Sequence, residues 1–161
     1  MKDVTSGINA SGWNWILSVV VLITGAGCST ETPVERFDVF GRVFINEDPA
    51  ADLLVRLHAE DESLSDGSGK YEVLTEASGD FLFSSSLPGS GGVPAGVYKA
   101  TFIWPDLMSG NPEDRLQGAL ADAETSSFVI VVDPTINKLE PFFLEVDPEK
   151  IIPVGAEGTL P

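Results

Sequence analysis

RFDVFGRVFIN, residues 36–46, sets Phe37, Val39, Val43 and Ile45 in alternation with Asp38, Arg42 and Asn46. That period of two is the pattern of a strand with one face buried and one in water. Gly41 interrupts it, as a bulge or a close crossing does. Working outward, Asn46-Glu47-Asp48-Pro49 reads as a turn, and Leu53, Val55 and Leu57 alternate with Arg56 and His58 in a second strand that fades into Glu60-Asp61-Glu62-Ser63. Residues 65–69, SDGSG, form a loop before a third strand over 71–75. Ser78-Gly79 supplies a turn, and Phe81-Leu82-Phe83 leads out of it, so a hairpin is predicted there. Four glycines and two prolines exclude a regular element from residues 88–96. Out of that loop comes VYKATFIW, residues 97–104, rich in aromatic and β-branched side chains, and Pro105 stops it.

Residues 106–125 lose the pattern, with one or two helical turns predicted within 113–123. SSFVIVV, residues 126–132, is the strongest strand signal and reads as buried on both faces. LEPFFLEV, residues 139–146, is the last strand, and Pro141 places it at a sheet edge. Beyond Asp147, the spacing of Pro148, Pro153, Gly155, Gly158 and Pro161 predicts a loose tail over 148–161.

Seven strands at short spacing with almost no helix predict an all-β fold, a seven-stranded antiparallel Greek-key β-sandwich over residues 36–147. The single cysteine, Cys28, leaves no intramolecular disulfide, so packing alone must hold the domain together. The formal charge of −16 repels nucleic acid phosphates and anionic lipid headgroups, which excludes a nucleic acid partner.

Four local signatures point to a family. Phe40-Gly41-Arg42-Val43, Leu54-Val55-Arg56-Leu57, the run from Thr75 to Phe81 and Pro94-Ala95-Gly96-Val97-Tyr98 follow one another in the chain. Together they resemble the carboxypeptidase regulatory-like, transthyretin-like domains. The third signature is usually Thr-Asp-x-x-Gly-x-Phe, from which Glu76 departs by one methylene, whereas Pro94-Ala95-Gly96-Val97-Tyr98 matches the usual Pro-x-Gly-x-Tyr. The later Phe142-Phe143-Leu144 is similar to small lipoproteins of this type from planctomycete-like bacteria. The resemblance implies a sandwich fold and no catalysis, with Gly41, Thr75, Gly79, Phe81, Pro94, Gly96 and Tyr98 as fold devices. Gly79 would turn the chain, Phe81 plug the core, and Gly96 let the chain re-enter a sheet at Tyr98.

Upstream, WNWILSVVVLITGAGC, residues 13–28, is an apolar run closed by small residues and Cys28. It falls short of the ~20 apolar residues that a membrane span requires and has the layout of a signal peptide over residues 1–27. Gly25, Ala26 and Gly27 define the cleavage region, and the site resembles the lipobox of bacterial lipoproteins, although Gly25 stands where a branched apolar residue is usual. Cys28 is therefore the candidate lipid acceptor, residues 28–35 a polar spacer, and the membrane of the cell envelope the expected partner. Without lipidation the protein would be secreted.

Catalytic constellations are scarce. His58, the only histidine, shares a strand face with Arg56, and no serine sits in a Gly-x-Ser-x-Gly elbow. One histidine and one cysteine argue against zinc, and no phosphate-binding glycine loop occurs; no cofactor and no enzymatic activity are expected. Asp61, Glu62 and Asp66 crowd one loop, but an EF-hand loop started at Asp61 lacks the glycine at its sixth position, so these carboxylates offer only a weak calcium site. Three functions remain open: a lipid-anchored binding or structural module, a carbohydrate- or peptide-binding domain with an unknown glycan or protein partner that uses Trp104 or Tyr71, and, last, an enzyme.

Overall fold

The computed structural model describes residues 34–64, 70–84, 91–109, 112–135 and 137–155. Cys28, Gly25, Ala26, Gly27 and Asp66 lie outside them. The described elements, in chain order, are β1 (Arg36–Phe37), β2 (Val39–Ile45), β3 (Asp48–Pro49), β4 (Leu54–Ala59), β5 (Lys70–Leu74), β6 (Asp80–Phe83), β7 (Val93–Pro94), β8 (Gly96–Ile103), β9 (Val129–Val132), β10 (Asn137–Lys138) and β11 (Phe142–Leu144). Two short 3-10 turns, Glu62–Leu64 and Pro148–Lys150, are the only helical pieces among the described residues.

The fold is all-β, a sandwich of two sheets over one core. One sheet runs β5-β4-β8-β9, antiparallel throughout. In the other, β2 lies between β6 and the chain-terminal strand pieces β10 and β11, with β3 folded onto the end of β2 and a two-residue β1–β7 ladder beside it. Val39, Val43, Ile45, Phe81, Phe83 and Leu144 face inward from this sheet, and Val55, Leu57, Tyr98, Phe102, Ile130 and Val132 from the first. Phe142 binds the layers together, touching Phe81 at 6.2 Å and, across the core, Phe102 at 5.4 Å and Phe128 at 5.8 Å between ring centroids.

Gly41 marks a close approach. It lies directly opposite Phe81 in the β2–β6 ladder, and a Cβ at this position would collide with the Phe81 ring. The turn between β2 and β3 holds Asn46 and Glu47 at positive φ, 50° and 73°, which suits the right-handed twist of a two-residue hairpin. Asn46 then reaches along the sheet, donating Nδ2 to the Val146 carbonyl at 2.8 Å and accepting from Val146 N at 3.0 Å.

Five sequence expectations are corrected. The turn at Ala77–Asp80 does not close a hairpin: β5 pairs with β4, β6 pairs with β2, and the chain crosses between the sheets. The turn itself is tight, with Gly79 at φ 77°, but Thr75 is already drawn away from β6, exchanging backbone hydrogen bonds with Leu53 and Asp52. The last strand runs parallel to β2 instead of antiparallel, because the chain reaches it by crossing from β9 on the other sheet. β9 is shorter than predicted and buried on one face only: Ile130 and Val132 enter the core, and Val129 and Val131, on the outer face of the sheet, are more than half exposed. Residues 113–123 form turns and no helix: the Asp114 carboxylate accepts from Trp104, Leu116 and Gly118 backbone amides, and Gln117 and Gly118 take positive φ. Residues 148–155 of the expected loose tail are tied down, with Ile152 N donating to Arg115 O, Arg115 Nε to Ile152 O and Gly155 N to the buried Asp106.

The contact at Gly41 carries a prediction. Gly41→Ala forces Phe81 out of its rotamer well, at a cost of about 1–3 kcal/mol as overpacked cores show, and urea denaturation reads it. Adding Phe81→Leu makes room for the new methyl group, so the double variant is expected to lose less than the sum of the two single changes.

Candidate functional site

The outer face of the β10/β11–β2–β6 sheet carries the arrangement best suited to a ligand. Along β2 the residues pointing away from the core are Phe40, Arg42 and Phe44, the two phenylalanines with cross-strand neighbours on both sides and Arg42 with one. Phe40 lies between Leu82 and Lys138, Arg42 opposite Asp80, and Phe44 between Phe143 and Pro49. Phe44 and Phe143 stack with centroids 5.2 Å apart and planes 10° from parallel, yet Phe143 stays 64% exposed.

Between these aromatic positions the edge strand departs from β2. Lys138 pairs with Phe40 and Phe142 with Val43, so three residues of the edge, Leu139, Glu140 and Pro141, oppose two of β2. That is a bulge, and Pro141, with no N–H to give a ladder, sits in it. The bulge opens a groove of about 780 Å³, lined by Phe40, Arg42, Glu76, Asp80, Lys138 and Glu140 among others. A second, shallower hollow of about 640 Å³ lies beside Phe143, between Asn46, Glu47 and Asp147.

Arg42 and Asp80 cross the groove floor as a two-pronged pair, Nε to Oδ1 at 2.5 Å and a terminal guanidinium nitrogen to Oδ2 at 2.8 Å. Ser78 Oγ donates to the same Oδ2 at 2.7 Å. These hydrogen bonds, Arg42's first and Ser78's second, hold the Asp80 carboxyl down at about 2. Among the described residues no ion pair or hydrogen bond engages the charged ends of Glu76, Lys138 or Glu140.

The residues singled out from the sequence fall elsewhere. Thr75 is buried between the sheets, where its hydroxyl accepts from Leu53 N at 2.9 Å and donates to Ala50 O at 2.5 Å. Gly79, with a positive φ, packs its Cα against the Val43 carbonyl. Tyr98 is fully buried and donates to Pro94 O at 2.9 Å; desolvation raises its phenol well above the ordinary tyrosine value. Gly96 leaves room for Leu64 and the Tyr98 ring. Asp61 accepts from Ser63, which lowers its carboxyl below 3.8. Among the described residues no three His, Cys, Asp or Glu side chains converge as a metal cluster.

Neither aromatic residue expected to serve a ligand is free to do so. Tyr71 is buried and donates its hydroxyl to Leu64 O, and Trp104 donates Nε1 to Ala51 O at 2.8 Å beneath the Arg115 guanidinium, 3.8 Å from its ring centroid. His58 bonds Thr101 Oγ1 at 2.9 Å, against a residue with no exposure. Sequence reasoning missed Phe40, Phe44 and Phe143. The alternation that buried Val39, Val43 and Ile45 had already placed Phe40 and Phe44 outward, but the register bringing Phe143 beside them belongs to the parallel crossover.

No family model and no curated protein matches the chain. Among solved structures it is similar to the dioxygenase domain of a dioxygenase–carbohydrate-binding protein fusion from the cellulolytic bacterium Streptomyces sp. SirexAA-E. That likeness has 20% identity, 74% of this chain and 85% of that one covered, and a TM-score of 0.39. It is also similar to a candidate carbohydrate-binding protein from Pseudomonas aeruginosa, at 12% identity, 71% and 91% coverage and a TM-score of 0.40. At these values neither likeness assigns a ligand or an activity.

The Arg42–Asp80 pair predicts a pH dependence. Its folded carboxyl titrates below the ordinary 3.8, so the stability it contributes is fully present above about pH 4 and lost as pH falls through 2. The difference in denaturation midpoint between wild type and Asp80→Asn is expected to be constant from pH 7 to 5 and to close between pH 4 and 2.

Proposed function

We propose that this protein is a non-catalytic binding module, tethered to a membrane of the cell envelope by lipid on Cys28, that offers the outer face of its β10/β11–β2–β6 sheet to a ligand. The module is read as a Greek-key sandwich of the transthyretin-like, carboxypeptidase regulatory-like kind, its principal strands being β2, β4, β5, β6, β8, β9 and β11. The observation that carries the binding role is the pair of exposed phenylalanines on one sheet face, Phe40 lining the charged groove and Phe143 the second hollow. A surface Phe that is almost two-thirds in water forgoes most of the ~1.5–3 kcal/mol its burial would return. Stacked against Phe44 and lining the shallower hollow, it has the form of a contact surface.

The tether rests on the sequence. The apolar run that ends in Gly25-Ala26-Gly27-Cys28 supports it, and the polar spacer that follows would stand the domain away from the bilayer. Support for a non-enzymatic role comes from the single histidine, held against buried Thr101, and from the paired state of Asp80.

Two measurements test this reading. The full chain expressed in a lipoprotein-processing bacterium is expected to enter the detergent phase of a temperature-induced detergent phase separation and to move to the aqueous phase on Cys28→Ser; detergent-phase retention of the variant sinks the lipid tether. In the Cys28→Ser background, with the lipid removed from the comparison, the chain is expected to co-sediment with insoluble envelope material. Phe40→Ala with Phe143→Ala should reduce that binding at least tenfold, and an unchanged pellet fraction overturns the assignment of this face.

A further inference from the structure

Resting on that reading of the face, we infer that its ligand is an uncharged, hydroxyl-rich oligosaccharide, laid along β2 from Phe40 to Phe44. Three features argue for this chemistry. The groove has the size of small-molecule sites, which run to about 300–1,000 Å³. The outward positions Phe40, Arg42 and Phe44 span about 13 Å at ~3.3 Å per residue, an extended track for several linked rings. Aromatic side chains stand at both ends of the track, where the C–H faces of sugar rings pack, and the polar groups stand between them, where the hydroxyls would lie.

Charge decides between ligands. The groove holds two cations, Arg42 and Lys138, against three carboxylates, Glu76, Asp80 and Glu140. An anionic saccharide meets those carboxylates and a chain at −16. A cationic ligand meets the Lys138 ammonium in the same groove and must compete with Arg42 for the Asp80 carboxylate. A hydroxyl both donates and accepts, so vicinal hydroxyls can answer Arg42, Lys138, Glu76 and Glu140 at once, with no net charge to place.

An extended peptide fits less well. Peptides that add to a sheet draw affinity from backbone hydrogen bonds along a free edge. Here the edge is bulged at Leu139–Pro141 and Pro141 has no N–H to give.

Calorimetric titration of the full chain in detergent tests the inference, with cellopentaose, xylopentaose, mannopentaose and chitopentaose as neutral probes, pentagalacturonate as the anion and pentalysine as the cation. At least one neutral probe is expected to bind, to weaken at least tenfold in Phe143→Ala, Phe40→Ala and Arg42→Gln, and to be unchanged by Val131→Ala on the other sheet. The anionic and cationic probes should bind at least tenfold more weakly. Equal or tighter binding of either charged probe, or neutral binding indifferent to Phe40 and Phe143, overturns the inference. Failure of all four neutral probes, while co-sedimentation still needs Phe40 and Phe143, overturns the sugar assignment and leaves the binding face standing. Loss of both dependences removes the face as well.

Discussion

The crossing from β5 to β6 is the constraint on which this sandwich depends. Within a few residues the chain leaves one sheet, reverses and joins the other, with no disulfide to fix the corner. Thr75 anchors the departure, since its hydroxyl and its backbone both bond into the Ala50–Leu53 turn. Gly79 makes the reversal, with a backbone conformation that L side chains adopt at a cost. Its carbonyl accepts from Val43 N at 2.9 Å, which stitches the corner onto β2. The same corner delivers Phe81 to the Gly41 gap and Asp80 to Arg42 one residue earlier, on opposite faces of the sheet. Core register and the Arg42–Asp80 pair in the groove are therefore set by one turn. A one-residue slip would put Asp80 in the core and Phe81 in water.

How much of this was legible in the sequence follows from the range of each interaction. Period-2 alternation found β2 and β4, because each buries one face and turns the other outward, and aromatic and β-branched content found β8. It failed at β9 because Val129 and Val131 are apolar yet exposed, and an unbroken apolar run carries no sign of which side is wet. The Ser78-Gly79 turn was visible, but a hairpin and a sheet-to-sheet corner share the same local chemistry. What separates them is the pairing of Thr75 with Leu53, a contact between distant residues. Residues 106–125 were opaque for a similar reason. Asp114 organises them by gathering three amides, and a single carboxylate gives no periodic signal.

The candidate face was half legible. Once Val39 and Val43 point inward, Phe40 and Phe44 must point out, and both aromatic positions could have been read from β2 alone. Phe143 could not, since its place beside Phe44 depends on the parallel crossover and on the one-residue bulge at Pro141. Asn137 makes that crossover: buried, it donates to the Asp133 and Thr135 carbonyls and accepts from Asp133 N, closing the turn between β9 and β10. Through that turn the chain's last strand arrives next to β2, and an otherwise ordinary Phe becomes the outer ring of a stack worth roughly 0.5–1.5 kcal/mol as an aromatic pair.

Among the described residues β9 carries another exposed apolar zone, and it differs in kind from the aromatic face. Val129 and Val131 on β9 flank a free edge, the kind of strand that invites pairing with another copy. They are aliphatic, only four residues of strand support them, and neither the groove at Arg42 nor the hollow at Phe143 borders them. Two chains approaching edge to edge would also bring together molecules carrying −16 each. Charge repulsion thus guards the edge that sequence and short length leave open. On the β10/β11–β2–β6 sheet, the proposed ligand face, the same charge would repel an anion, while a cation would meet Lys138 and compete with Arg42 for Asp80. A ligand with no charge is indifferent to both, and only its fit to the rings and the hydrogen-bonding groups then decides whether it binds.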